Sequence, residues 1–128
     1  MSKTSVNSRL AMIQAFANLM DNGSQSATVI FYEGVQPASP AVAADSNSAL
    51  VTLTFPKPCI KETTATYVEL HPTDTATVIK TGTATWARFY NGAGEVAADL
   101  TVGSDITLAN TNLVVGGTLS IQSIKLRP

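Results

Sequence analysis

The chain has a single cysteine, Cys59, and a single histidine, His71, in 128 residues. One cysteine excludes an internal disulfide. Flanked by Pro58 and Ile60, it reads as a small buried apolar residue rather than a reactive thiol. One histidine, with no spaced Cys, Asp or His partner, leaves neither a zinc-type ligand set nor a Ser-His-acid arrangement. Charge is scarce as well. Asp, Glu, Lys and Arg make up 13% of the chain, about half of the roughly 25% usual in globular proteins. Lys57, Lys61, Lys80, Arg88, Lys125 and Arg127 are scattered, and the formal net charge is −1. That pattern argues against nucleic acid as a partner. Apolar runs stay well short of the roughly 20 residues of a membrane span. Asn7, Ser8 and Gln14 interrupt the segment where a signal peptide would lie, so a soluble product with no export signal and no membrane partner is expected.

What is present is a chain of one-domain length with 45% hydrophobic residues, enough for one core without staples. Its polar complement is mainly Thr, Ser and Asn. Such a weakly charged surface is expected either where neighbours cover it in an assembly or in a small β domain that tolerates low charge.

Residues 1–23 read as an N-terminal arm and amphipathic helix. Leu10, Ile13, Phe16 and Leu19 or Met20 recur every three or four residues on one face. Asn7 or Ser8 is the expected cap, and Asn22-Gly23 the expected stop. The stripe packs either on its own domain or into a neighbouring subunit.

From residue 24 to 128 the period is two. Ala27 to Tyr32 is apolar on both faces, as in a central strand or one whose outer face the helix covers. Glu33 to Ser48 is a loop in which Pro37 and Pro40 block regular structure. Loops this long in compact domains are commonly functional, and Val35, Pro37 and Pro40 make it a candidate arm toward a partner. Ala49 to Phe55 turns Val51, Leu53 and Phe55 inward. Weaker strands follow at Thr66–Leu70 and Thr75–Lys80. Gly82 to Tyr90 is expected to run as one strand, closed by an Asn91-Gly92-Ala93-Gly94 turn whose glycines supply positive φ, with Glu95 to Val102 returning. Asp105–Ala109 and Asn112–Val115 are short. Thr118–Leu126 changes parity near Gln122-Ser123, which a β-bulge or a crossing between sheets reconciles. The expected fold is all-β: an antiparallel β-sandwich, jelly-roll or Ig-like, with one short N-terminal α-helix.

Chemistry finds little purchase. Gly-x-Ser-x-Gly and phosphate-binding glycine patterns are absent, so neither a catalytic site nor a cofactor is expected. Asp99 and Asp105 are the remaining carboxylate pair, but Asp105 follows Gly103-Ser104, where an aspartate serves a turn. Trp86, Arg88 and Tyr90 share one strand face. Exposed, they form a recognition hot spot or a sugar platform. Turned inward, Trp86 is a core residue and Arg88 pairs with Glu95 or Asp99. The possible partner contacts are therefore Leu10, Ile13, Phe16, Val35, Pro37, Pro40, Trp86, Arg88 and Tyr90.

Tyr32-Glu33-Gly34-Val35-Gln36-Pro37, Leu50-Val51-Thr52-Leu53-Thr54-Phe55, Gly82-Thr83-Ala84-Thr85-Trp86-Ala87-Arg88-Phe89, and Asp105-Ile106-Thr107-Leu108 with Val115-Gly116-Gly117-Thr118 resemble small proteins of tailed-phage and prophage structural modules. The resemblance covers most of the chain from the helix onward and rests on strands and turns, so it carries over no functional residues. It implies a virion component, in the first instance a decoration (cement) protein on the capsid exterior. Its partner would be the major capsid protein or another virion protein, and its state a homo-oligomer, with a trimer favoured. A tail, neck or collar component is the alternative within the particle; outside it stand a carbohydrate-binding module and a small hydrolase using the aspartates.

Overall fold

A computed structural model describes residues 6–64, 66–103, 106, 108, 110–122 and 124–126. Helix α1 spans Val6–Met20. Strands β1 to β4 are Thr28–Tyr32, Ala49–Thr54, Ile60–Thr63 and Val68–Leu70. Two short strands, β5 (Ala76–Thr77) and β6 (Gly82–Thr83), precede β7 (Trp86–Tyr90) and β8 (Val96–Thr101). Last come β9 (Asn112–Leu113), β10 (Thr118–Leu119) and β11 (Ile124–Leu126).

The named strands pair antiparallel throughout. The main sheet has the order β2-β1-β7-β8, a second sheet β11-β4-β3, and β10-β5 and β6-β9 pair separately. The expected antiparallel β architecture with one N-terminal helix is what the chain forms. β1 lies between β2 and β7, as its two apolar faces demand. Val29, Phe31, Val51, Leu53, Ala87 and Phe89 fill the inner face of the main sheet and belong to the same apolar cluster as Val68 and Leu70 of the second sheet.

The helix closes this core with Leu10, Ala17 and Met20 buried and Ile13 and Phe16 packed against it. The Phe16 ring lies 6.4 Å from that of Phe89, and Phe55 meets Phe89 edge-on at 5.8 Å. The stripe ends on Met20, while Leu19 is 47% exposed. Asn7 and Ser8 are inside the helix rather than caps. Ser8 is exposed, so its hydroxyl does not burden the buried face. The stop is as expected: Asp21 and Asn22 N–H bond back to Asn18 and Leu19, and Gly23 has φ +110°.

Three other expectations need correction. The Gly82–Tyr90 run breaks at Ala84-Thr85, whose N–H groups turn to Thr111 and Tyr32, so β6 and β7 serve different sheets. In the Asn91–Gly94 turn only Gly94 has positive φ, at +81°. Gly92 is required by a close approach instead, since a Cβ there would stand 2.1 Å from the Gln25 carbonyl oxygen. Strand β3 has no counterpart in the sequence reading. The parity change in the last segment is a crossing between sheets, because β10 pairs with β5 and β11 with β4. Of the expected strand at Asp105–Ala109, Asp105, Thr107 and Ala109 lie outside the described residues, and Ile106 makes a single bridge to Val102.

Candidate functional site

Period-two alternation puts every second residue of the main sheet on the face away from the core. On β7 these are Trp86, Arg88 and Tyr90, with Tyr32 opposite Trp86 on β1, and Asp99 opposite Arg88 on β8. They form a second buried layer. Trp86 is 2% exposed and Arg88 1%, yet neither belongs to the main apolar cluster. The Arg88 Nε and Nη2 donate to Asp99 Oδ1 and Oδ2 at 2.6 and 3.0 Å, the two-pronged geometry in which a guanidinium holds a carboxylate best. This bond to Asp99 raises the Arg88 pKa further. The guanidinium carbon also sits 5.3 Å from the centre of the Trp86 ring, within cation–π range.

Tyr32 stacks on Trp86 with centroids 4.4 Å apart and planes at 15°, and its hydroxyl meets that of Tyr90 at 3.2 Å. Burial first, and the Tyr90 hydroxyl second, push the Tyr32 phenol well above its usual range. Exposure of Trp86 and Arg88 as a hot spot or sugar platform is thereby excluded. Of the two acids named for Arg88, Asp99 is the partner. Glu95 instead accepts from the Asn91 side chain.

The loop from Glu33 to Ser48 lies against the Trp86 end of this layer. Thr85 Oγ1 donates to the Gly34 carbonyl at 2.7 Å, and Thr101 Oγ1 to the Gln36 side chain at 2.8 Å. Glu33 N–H bonds to the Ser48 carbonyl across the loop's base, and the Glu33 carboxylate is paired with Lys80. Asp45 caps a 3₁₀ turn at Ser46–Ser48 by accepting from Asn47 N–H. Between loop and sheet lies a cleft of about 650 Å³ lined by Val35, Gln36, Pro37, Val42 and Asp45 among others, with Trp86 contributing from the sheet. Val35 is 93% exposed. Trp86 Nε1 is buried without a hydrogen-bond acceptor among the described residues.

The predicted contact residues therefore separate. Leu10 is buried in the chain's own core, and Ile13 and Phe16 pack against that core while staying half-buried. Trp86 and Arg88 are covered, and Tyr90 is half-buried. Val35, Pro37 and Pro40 stay on the loop, with Val35 and Pro40 exposed and Pro37 half-buried. Tyr32 and Gln36 belong to the arrangement but were not singled out in the sequence. The outward parity of Tyr32 on a central strand was the available signal for it. Gln36 in a loop gave none.

Elsewhere, Cys59 is buried and its thiol is pushed up to about 12, by burial first and then by the Asp21 carboxylate. That carboxylate accepts from Cys59 N–H at 3.0 and 3.1 Å. Asp99 is committed to Arg88, and Asp105 lies outside the described residues. Among the described residues no three His, Cys, Asp or Glu side chains are grouped to hold a metal ion, and no helix is long and apolar enough to cross a membrane. Comparison with protein-family models, curated proteins and solved structures found no match.

Proposed function

We propose that this chain is a structural building block that works by docking, as a decoration (cement) protein on the exterior of a tailed-phage capsid, assembled into the virion in the host cytoplasm. The observation that carries the docking role is a set of β-branched apolar side chains left in solvent: Val35 at 93%, Ile79 at 67%, Val114 at 62% and Val115 at 58% exposed. The last three lie on adjoining segments, because Val78 and the Gly116-Gly117 turn exchange main-chain hydrogen bonds of 2.8 and 3.0 Å. With a net charge of −1, little long-range repulsion opposes packing beside neighbours.

The virion assignment is supported by the sequence resemblance. A shell that enlarges around packaged DNA exposes junctions that a small rigid domain can bridge. Each junction needs only ordinary interface area, on the order of 1,000–2,000 Å², and many copies on one shell sum modest affinities into a large stabilisation. The chemistry of the described residues supports a non-enzymatic role, since its most constrained polar groups, Arg88 and Asp99, satisfy each other.

The test is co-sedimentation of the purified protein with expanded capsids that lack it. Saturable binding at many sites per shell, weakened by Ile79→Asp or Val115→Asp, is expected. Binding to tails or necks with none to shells would replace the capsid assignment by the adaptor one.

A further inference from the structure

We propose that Asn22 is a self-modifying site. Its side-chain amide is converted to isoaspartate and aspartate, with the Gly23 main chain as nucleophile and water as co-reactant, while the fold holds the chain's other Asn-Gly pair unreactive. This chemistry goes beyond the docking role and does not depend on it.

In an Asn-Gly sequence the glycine nitrogen can approach the asparagine side chain without a Cβ in the way. The chain has two such pairs, Asn22-Gly23 and Asn91-Gly92. They pack against each other and are opposite in state. Asn91 is 5% exposed, its amide donates to Glu95 Oε1, and its Oδ1 accepts from the N–H groups of Ala93 and Glu95. Gly92 N–H donates to the Met20 carbonyl. Asn22 and Gly23 are exposed just beyond α1. Neither the Asn22 side chain nor the Gly23 N–H makes a hydrogen bond among the described residues. Asp21, held by Cys59 N–H, and Lys57, bonded to the Gly23 carbonyl, flank the pair.

Hydroxide takes the Gly23 N–H proton, and the nitrogen attacks Asn22 Cγ to close a succinimide ring. The bond from Cγ to the amide nitrogen breaks. That nitrogen leaves as ammonia after taking a proton from water, which restores the hydroxide. Water then opens the ring at either carbonyl, giving aspartate or isoaspartate, and the latter lengthens the main chain by a methylene. The junction has no room for it. A Cβ at Gly23 would stand 2.3 Å from Ala93 N, and Gln25 N–H donates to the Gly92 carbonyl at 3.0 Å. Both products also place a negative charge beyond the helix C-terminus, where the dipole disfavours it.

The test is peptide mapping of the folded full chain after incubation at neutral and mildly alkaline pH. Conversion at Asn22 should quicken as pH rises. Asn91 should convert about a hundredfold more slowly, the population cost of breaking its three side-chain hydrogen bonds. In urea both sites should react. The isoaspartate form, isolated by chromatography, should unfold at a lower urea concentration than Asn22→Asp, which has the same charge on a main chain of normal length. The proposal is overturned if Asn22 in the folded chain reacts no faster than Asn91, or stays intact while it converts in urea. It is equally overturned if the isoaspartate form and Asn22→Asp unfold at the same urea concentration.

Discussion

Arg88 and Asp99 stand directly opposite each other on β7 and β8 and form a two-pronged ion pair, with side chains 1% and 5% exposed, on the face of the sheet that the main core does not touch. A buried pair of this kind stabilises little relative to apolar replacements, but halving it strands a charge. Asp99→Ala should lower unfolding free energy by about 3–5 kcal/mol. Arg88→Met combined with Asp99→Leu should recover most of that loss. Urea unfolding followed by circular dichroism measures both, and a double variant as unstable as the single one would contradict the assignment.

Trp86 is the other half of that layer. Removing it leaves Tyr32 unstacked and Arg88 without its aromatic neighbour, so Trp86→Ala should cost about 3–5 kcal/mol. A loss under about 1 kcal/mol, accompanied by loss of partner binding, would mean that the ring faces a partner instead.

The turn between β7 and β8 separates two uses of glycine. Gly92→Ala places a Cβ 2.1 Å from the Gln25 carbonyl oxygen, whereas Gly94 has φ +81° with nothing within 4 Å of its Cβ position. Gly94→Ala should therefore cost only the left-handed penalty of about 1–2 kcal/mol. Gly92→Ala has to separate the turn from the Asn22–Gln25 backbone that follows the helix and should cost about 3 kcal/mol or more. Equal losses in denaturant titrations would refute the distinction.

Cys59 should resist thiol reagents in the native state and react once the chain is unfolded in urea. Its folded pKa, raised to about 12, lies above the unfolded value of about 8.5. Above the unfolded value the denatured chain releases a proton that the native chain keeps. The stability this provides is thus whole below about pH 8.5 and is lost as pH rises toward the folded value. The denaturation midpoint should fall more between neutral and strongly alkaline pH in the native sequence than in Cys59→Ala. Equal falls would show that the thiol is not the cause.

Much of the fold was legible because period and turn chemistry act locally. Val29 and Phe31 against Ile30 and Tyr32 marked a central strand, Val51 and Leu53 an inward face, and the parity change between Ile121 and Ile124 a bulge or a crossing between sheets, which the pairing of β10 and β11 resolves as the crossing. Partnerships across long separations were less so. Asp99 was one of two acids within reach of Arg88, and only the register of β7 on β8 distinguishes it from Glu95. Tyr32 meets Trp86 because β1 and β7 pair in the main sheet, although more than fifty residues lie between them. The burial of Trp86 was anticipated but its side was not, since an aromatic hidden by a loop and one hidden by the core leave the same pattern. Strand β3 is mostly exposed and begins just after Pro58, so neither apolar alternation nor flanking composition announced it.

The central claim, that the chain is a building block of a phage particle, is tested most directly by quantitative mass spectrometry of purified particles from cells carrying its gene. A decoration protein should be present in hundreds of copies, in fixed ratio to the major capsid protein. Its absence from particles, with the product found only as a free monomer in the cell, would contradict the account.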